Sequence, residues 1–320
     1  MVRVRLLQIV GVLGTAEFIV MFALRPYNIT PDKLFLFLLF VFMAVRHARE
    51  LMIRLGPFVL ILLVYESLRG LAPLINGRVE YMWMARMDEM MFGSLPTARL
   101  QELWWHGDVR WLDYLFYLAY LGHFVIPIAL ALAIWRWRDS EYWRYLSTLV
   151  IVSFAGFATF VAFPAAPPWM ASEQDRIEPI TRIGYDLWSS VGVSNFRTLY
   201  SEVAPNTVAA VPSLHAAYAI LVGLFAFRLF GPLVGLVASI HPLLVCVGIV
   251  YIGEHYAIDA VIGAVYAVGA YALGWWLFRV GVDQAVWARV SALPGWMRDR
   301  VRAERPAREP IRAESVMETD

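Results

Sequence analysis

Long apolar runs alternate with short polar stretches along most of the chain, and this pattern predicts eight hydrophobic helices. The runs cover about residues 6–24, 34–45, 55–75, 111–135, 145–164, 209–230, 232–252 and 257–279. A helix of about 20 apolar residues crosses a hydrocarbon core of ~30 Å, so these runs are typical of membrane-spanning helices. The run over 34–45 is short, as in a tilted or re-entrant segment. The pattern therefore predicts an all-α polytopic membrane protein with about eight transmembrane helices.

The composition agrees with this prediction and excludes several other classes of protein. Hydrophobic residues make up 60% of the 320 residues and charged residues 17%, whereas soluble domains average about 45–50% and about 25%. A net charge of +1 provides no basic face for nucleic acid. The single cysteine, Cys246, excludes an intrachain disulfide framework and a cysteine-based zinc cluster.

The distribution of basic residues predicts the orientation of the helices. With the N-terminus in the cytoplasm, most of the 27 Lys and Arg residues lie in inner segments or in the C-terminal tail, as the positive-inside rule requires. An even number of spans returns the C-terminus to the cytoplasm. We expect a multi-pass integral membrane protein, located in the plasma membrane if the source is bacterial.

The chain divides into three predicted parts. Residues 1–54 carry N-terminal transmembrane helices, and residues 55–280 form a membrane core. Two outer segments of this core, 76–110 (the first lid) and 165–208 (the second lid), are rich in Trp, Tyr, Met and Pro. Residues 281–320 are predicted to form a cytoplasmic tail that begins as an amphipathic helix and ends disordered.

Two polar stretches interrupt the apolar pattern at the starts of the sixth and eighth runs. They contain His215 in the first, and His255 and Asp259 in the second. Ionisable groups within membrane spans are costly and are therefore candidates for function. On a helix, His255 and Asp259 lie four residues apart on one face, so the carboxylate can hold one imidazole nitrogen and leave the other as a nucleophile or base. The predicted topology places all three residues at the outer membrane surface.

The same stretches resemble a known enzyme superfamily. Residues 212–215 read Pro-Ser-Leu-His, and the second stretch ends in His255-x3-Asp259. These motifs are similar to those of the type 2 phosphatidic acid phosphatase superfamily, and more closely to its branch of inositol phosphotransferases, which includes inositol phosphorylceramide synthase. A Pro-rich run at 163–169 resembles a segment of the same branch. The resemblance covers roughly residues 60–280 and implies a six-helix core that carries the site.

The resemblance implies a mechanism that needs no metal and no cofactor. His255 is the expected nucleophile, which attacks phosphorus and forms a phosphohistidine. Asp259 orients His255, and His215 acts as general acid and then as general base. The expected partners are a lipid phosphate donor, phosphatidylinositol in the closest branch, and a lipid or water acceptor. A lipid acceptor defines a phosphotransferase, and water defines a phosphatase.

The phosphate-binding cations of the superfamily are missing from their usual places. The Lys-x6-Arg-Pro motif is not found, and Ile249 stands six residues before His255, where the superfamily pattern has Arg. Arg69 and Arg197 are the candidates to replace these cations. The alternatives are a structural pair of Arg69 with Glu66 at i+3 and an exposed loop charge for Arg197.

Other polar residues receive more limited predictions. Ser213 and Tyr256, next to the two histidine motifs, are candidates for substrate or phosphate binding. His123, in the middle of a span, is expected to be a hydrogen-bonded core residue. Asp88 and Glu89 in the first lid are expected to be solvated.

Other functions remain compatible with the same residues. A lipid or polyprenyl phosphate phosphatase would use the same His-His-Asp site. Two histidines and a carboxylate also suit an open zinc site, as in a metal-dependent membrane hydrolase. A transporter is suggested by Glu17 and other ionisable residues within spans, but we find no pair of interrupted helices in two repeats. The sequence makes no prediction of oligomeric state.

Overall fold

Helices account for most of the chain in the computed structural model, which describes residues 2–24, 31–198, 206–282 and 284. No strand occurs in these described ranges, although two isolated bridges pair Glu80 with Ala165 and Ala165 with Ala209. The helices are α1 (Val2–Leu24), α2 (Pro31–Ala44), α3 (Ala48–Arg54), α4 (Gly56–Ile75), α5 (Trp83–Phe92), α6 (Pro96–Trp104), α7 (Trp111–Trp137), α8 (Tyr142–Ala162), α9 (Pro168–Glu173), α10 (Ile183–Ser190), α11 (Leu214–Phe230), α12 (Pro232–Ala238), α13 (Ile240–Tyr251) and α14 (Ala257–Arg279).

Six helical segments are long and apolar enough to cross a membrane. They lie in α1, α4, α7, α8 with the turn before it, the α12–α13 pair and α14. The apolar segments in α2 and α11, Lys33–Ala44 and Leu214–Phe230, are shorter. Each of the eight predicted runs is therefore largely helical, and the all-α polytopic membrane fold is confirmed. The count of eight spans stays a prediction.

Helix α11 lies at the centre of the bundle, packed against α7, α8, α13 and α14. Large side chains fill the space between these helices, as where Tyr145 and Phe225 meet edge to face at 5.0 Å. Small residues set the closest approaches, because lipid provides no hydrophobic drive between helices and association depends on close packing. A side chain at Gly263 of α14 would overlap the backbone carbonyl oxygen of Ser213, just before α11. The starts of α11 and α14 are thus held together at backbone distance.

The described parts of both lids contain helices. The first contains α5 and α6, and the second contains α9 and α10. The Glu80 carboxylate accepts hydrogen bonds from the backbone N–H groups of Met82 at 2.8 Å and Trp83 at 2.9 Å, which caps the start of α5. These backbone hydrogen bonds lower the pKa of Glu80 below its usual value. Residues 199–205 of the second lid lie outside the described residues, as does nearly all of the predicted tail 281–320.

Backbone hydrogen bonds tie the two lids to each other beside the start of α11. Glu80 N donates to Pro164 O at 2.8 Å, and Ala166 N donates to Glu80 O at 2.9 Å. Ala165 N in turn donates to Val208 O at 2.8 Å. Both lids and the segment that leads into α11 therefore meet at one end of the bundle.

Candidate active site

Helix capping sets the positions of the two histidine motifs. The Ser213 hydroxyl accepts a hydrogen bond from Ala216 N at 3.3 Å, so α11 begins at Leu214 and His215 lies in its first turn. The second motif differs from the prediction, because His255 lies before α14 and not on it. The chain turns at Gly253, where φ is +82°, and enters α14 only at Ala257.

His255 and Asp259 nevertheless meet, because Asp259 reaches back over the start of its own helix. Its Oδ2 accepts a hydrogen bond from Tyr256 N at 2.9 Å and lies 3.3 Å from His255 Nδ1. This carboxylate thus caps α14 and holds the imidazole with the same oxygen. His255 is 4% exposed and Asp259 is fully buried.

The two histidines form a continuous hydrogen-bonded chain with Asp259. His215 Nδ1 lies 2.9 Å from His255 Nε2. Since an ionised carboxylate only accepts hydrogen bonds, His255 Nδ1 carries the proton that faces Asp259. In neutral His255, Nε2 then has a free lone pair, which accepts a hydrogen bond from His215 Nδ1. The arrangement directs the lone pair of the buried His255 ring at an N–H of the half-buried His215 ring.

A third imidazole extends this site into the bundle. His123 of α7 is buried, and its ring centroid lies 4.2 Å from that of His215 in an edge-to-face contact. Its Nδ1 donates to the carbonyl oxygen of Tyr120. The predicted hydrogen bond is confirmed, but spacing along one span gave no sign that His123 packs against the catalytic candidate His215.

Arg69 of α4 lies near the same cluster. Its Nε lies 3.2 Å from a Glu66 carboxylate oxygen, which confirms the predicted i+3 pair. Arg69 also interacts electrostatically with His123 and His215. The pairing with Glu66 therefore does not remove Arg69 from the site.

Arg197 lies apart from the histidines, on the surface of the second lid. Its side chain is 69% exposed and pairs with Glu173 at 2.8 Å. It lines a cleft of about 550 Å³ together with Tyr185 and Arg182. Arg197 is therefore exposed, as the alternative prediction of a loop charge expected. Phosphate binding by Arg197 stays a prediction.

The structure adds a buried ion pair next to His255 that sequence reasoning missed. The Arg182 guanidinium donates to both carboxylate oxygens of Glu254, at 2.7 and 3.0 Å. The guanidinium also lies 4.1 Å from the ring of Trp169 and 4.5 Å from that of Tyr185. Because Glu254 directly precedes His255, this pair anchors the second lid to the histidine segment. The position of Glu254 directly before His255 could have indicated that Glu254 lies at the site. Arg182 is remote from His255 in the sequence, so nothing local indicated its contact with Glu254.

Asp88 of the first lid is a second residue that sequence reasoning misplaced. The prediction that it is solvated is wrong: it is fully buried and accepts hydrogen bonds from Ala257 N and Ile258 N, both at 2.8 Å. Burial raises the pKa of Asp88 to about 6, although these two hydrogen bonds oppose the shift. The signal was the helical spacing of Asp88 with Met84 and Ala85, which places all three on the buried face of α5.

The remaining candidates occupy structural positions beside the site. Ser213 is buried and its hydroxyl caps α11. The Tyr256 ring belongs to a buried apolar cluster under the first lid, and its hydroxyl has no hydrogen-bond partner within the described ranges. Substrate binding by either residue stays a prediction. Within the same ranges, no group of three or more His, Cys, Asp or Glu side chains is arranged to hold a metal ion.

The fold and the site together define a polytopic helical membrane protein with a His-His-Asp cluster at the starts of two helices. A profile of the PAP2 superfamily, the type 2 phosphatidic acid phosphatases, matches residues 82–273, which include all three residues of the cluster. Since this match spans more than half of the chain, the protein belongs to the PAP2 superfamily and is an integral membrane enzyme acting on lipid phosphate.

A curated relative supports the predicted branch of the superfamily. The phosphoinositol dihydroceramide synthase of Bacteroides thetaiotaomicron is 27% identical over 263 residues, covering 76% of this chain and 82% of the relative. The chain is thus similar to this synthase over most of both lengths. No solved structure matches the chain.

Proposed function

We propose that the protein transfers an inositol-phosphate group from a lipid phosphodiester to the hydroxyl of a second lipid, through a phosphohistidine on His255. The observation that carries the proposal is the hydrogen-bonded chain from Asp259 through His255 to His215. The name of the Bacteroides relative supports an inositol-phosphate donor and a lipid acceptor.

In the first step, His255 Nε2 attacks phosphorus and forms the N–P bond. The P–O bond to the lipid glycerol breaks, and His215, which enters this step as an imidazolium, gives a proton to the leaving oxygen and becomes neutral. Asp259 holds the Nδ1 proton and stabilises the positive charge on the His255 ring. An in-line displacement puts the nucleophile and the leaving oxygen on opposite sides of phosphorus. His215 Nδ1 and His255 Nε2, which lie 2.9 Å apart in the structure, therefore separate when the phosphoryl group enters.

In the second step, His215 is neutral and accepts the proton of the acceptor hydroxyl. The acceptor oxygen attacks phosphorus, the N–P bond breaks, and His255 returns to its starting state. With water as acceptor, the same steps describe a phosphatase.

Arg69 is our candidate for the missing phosphate-binding cation. The transferred group carries its charge on equatorial oxygens, and the half-buried guanidinium of Arg69 stabilises them more strongly than a fully exposed one would. The electrostatic interaction of Arg69 with His215 and His123 supports this role. Arg197, which is exposed and paired with Glu173, has weaker support.

We further propose that the site faces the outer side of the membrane and that both termini lie in the cytoplasm. The abundance of arginine in the segments opposite the lids supports this orientation. Access of a membrane-impermeant cysteine reagent to an Asp108→Cys variant in intact cells tests it, and labelling only after lysis would contradict it.

The test is a transfer assay with purified protein, phosphatidylinositol labelled at phosphorus, and a lipid hydroxyl acceptor. We expect label on the second lipid, and on the protein when the acceptor is withheld. His255→Ala should abolish both signals, because no nitrogen remains to carry phosphorus. His106→Ala is the matched control, since His106 is an exposed histidine of the first lid.

Three other outcomes separate the alternatives. Turnover retained by His255→Ala would remove the nucleophile assignment. Label released only as water-soluble phosphate would favour the phosphatase. Activity abolished by a chelator and restored by zinc would favour the metal-dependent hydrolase.

A further inference from the structure

We propose that Asp88, in the first lid, is a positioning residue that holds the first turn of α14 in the arrangement that His255 and Asp259 need for phosphoryl transfer. The inference rests on the proposed function, because it assigns Asp88 a role through the catalytic candidates. Asp88 itself does not contact His255 through any hydrogen bond in the described structure.

The contacts of Asp88 account for the role. A helix start leaves its first N–H groups without intrahelical partners. Asp88 accepts from the first two residues of α14, Ala257 N and Ile258 N, each at 2.8 Å. Asp259 Oδ2 accepts from the preceding residue, Tyr256, at 2.9 Å. The carboxylates of Asp88 and Asp259 thus both accept hydrogen bonds at the start of α14. Because Asp259 belongs to the first turn of this helix, and Asp88 holds that turn, the position of the carboxylate that contacts His255 depends on Asp88.

Packing determines the position of Asp88 in turn. Met84 and Ala85, on the same face of α5, lie in one buried cluster with Tyr256 and Ile258. The carboxylate therefore approaches α14 on a helix that is held by apolar contacts. Its negative charge also lies at the positive end of the α14 dipole, which favours the ionised form.

Among the described residues, few charged groups face the Asp88 carboxylate. From α14 and the residue before it, Asp259 and the Tyr256 hydroxyl interact with it electrostatically. On α6, which packs against α5, Arg99 and Glu102 form an exposed pair with each other at 3.6 Å. On α5 itself, the charged neighbours Arg86 and Glu89 are exposed.

The ionisation of Asp88 should therefore be visible in the pH dependence of the enzyme. Burial and repulsion from Asp259 raise the pKa of Asp88 to about 6. Above this pH both carboxylate oxygens accept from α14. Below it the group gains a proton, so that one oxygen becomes a donor and one of the two contacts with α14 is weakened.

The test compares Asp88→Asn with Glu89→Gln. Asn has the shape of Asp but keeps one accepting oxygen, whereas Glu89 is the adjacent exposed acid on the same helix. We expect Asp88→Asn to lower kcat about 10-fold with little change in KM, because small misplacements of reacting groups are costly in rate. Glu89→Gln should match the wild-type enzyme.

The pH profile separates positioning from a merely structural role. The ratio of wild-type kcat to that of Asp88→Asn reports the contribution of Asp88, because the two proteins differ at this residue alone. We expect this ratio to fall towards one as the pH is lowered through about 6. A ratio that is constant with pH would overturn the inference, as would an Asp88→Asn variant indistinguishable from Glu89→Gln at pH 8.

Hydrogen exchange provides a readout without activity. Peptides that contain Ala257 and Ile258 should exchange faster in Asp88→Asn than in wild type or Glu89→Gln, and unchanged exchange would refute the capping role. If wild-type protein performs no transfer but exchange responds as expected, the proposed function fails while the contact with α14 stands. A loss of kcat without faster exchange would overturn the positioning role alone.

Discussion

Replacing Gly253 by alanine tests whether the turn before His255 sets the geometry of the site. At φ +82°, alanine adopts a left-handed backbone conformation that costs about 1–2 kcal/mol. The added Cβ would also lie 2.8 Å from the carbonyl oxygen of Thr181, against 3.4 Å for an ordinary contact. The turn and the second lid must therefore separate by about 0.6 Å, and overpacking of this kind costs about 1–3 kcal/mol more.

The neighbour cannot move away easily. Gln101 holds the Thr181 backbone on both sides, since its amide donates to Thr181 O at 2.7 Å and accepts from Thr181 N at 2.9 Å. The same amide nitrogen also donates to Tyr251 O at 2.9 Å, so the backbone before Gly253 is held as well, and the displacement is taken up after Gly253, in the two residues that lead to His255. A misplacement of 1 Å costs about 100-fold in rate, so half of that distance corresponds to about 10-fold in kcat.

Gly107→Ala is the matched control. Gly107, in the first lid, has φ +85°, and a Cβ there would have no neighbour within 4 Å. Both variants carry the backbone strain, so the difference between them isolates the contact with Thr181. We expect the Gly253→Ala variant to unfold at a lower temperature in detergent than Gly107→Ala and to transfer label about 10-fold more slowly per folded molecule. Equal Tm and equal turnover for the two variants would refute the reasoning.

Three further predictions use the same assays. Asp259→Asn should lower kcat by about 10³- to 10⁴-fold with a Tm near that of wild type, because an amide no longer selects the His255 tautomer; near-normal turnover would contradict this. Tyr251→Phe removes a buried hydrogen bond to Asp113 and should lower the free energy of unfolding by about 1.5–3 kcal/mol, measured by thermal unfolding in detergent; an unchanged Tm would count against it. Arg69→Gln should lower kcat/KM by about 100-fold, the loss of a charged hydrogen bond, whereas Arg197→Gln should stay within about twofold because exposed pairs contribute little; the reverse order would exchange their roles.

The helices and the histidine motifs could be predicted from the sequence because both depend on local signals. Apolar runs of the length of a bilayer predict helices whatever their neighbours. The separation of His255 from Asp259 predicted their contact, although for an incomplete reason: the carboxylate reaches back across a helix start. Side chains four residues apart can meet when both lie on one helix, and they can also meet when the first lies just before the helix and the second in its first turn.

Contacts between remote segments could not be predicted in this way. Asp88 contacts residues about 170 positions away, and Arg182 contacts Glu254 across 72 positions. The local sequence can indicate that Asp88 lies on a buried helix face and that Glu254 lies beside the site, but it does not identify the remote partner of either residue. Their burial follows only when both lids pack against the end of the bundle.

These two remote contacts bear on one short segment from opposite directions. Arg182 of the second lid holds Glu254, immediately before His255, and Asp88 of the first lid holds the N–H groups that follow it. The nucleophile candidate thus lies between two lid contacts, whose nearest anchors, Glu254 and Ala257, are only three residues apart. Hydrogen bonds also join the lids to each other beside α11. A displacement of either lid therefore reaches His255 through a charged contact, which makes the seating of the lids and the geometry of the histidine pair a single structural condition.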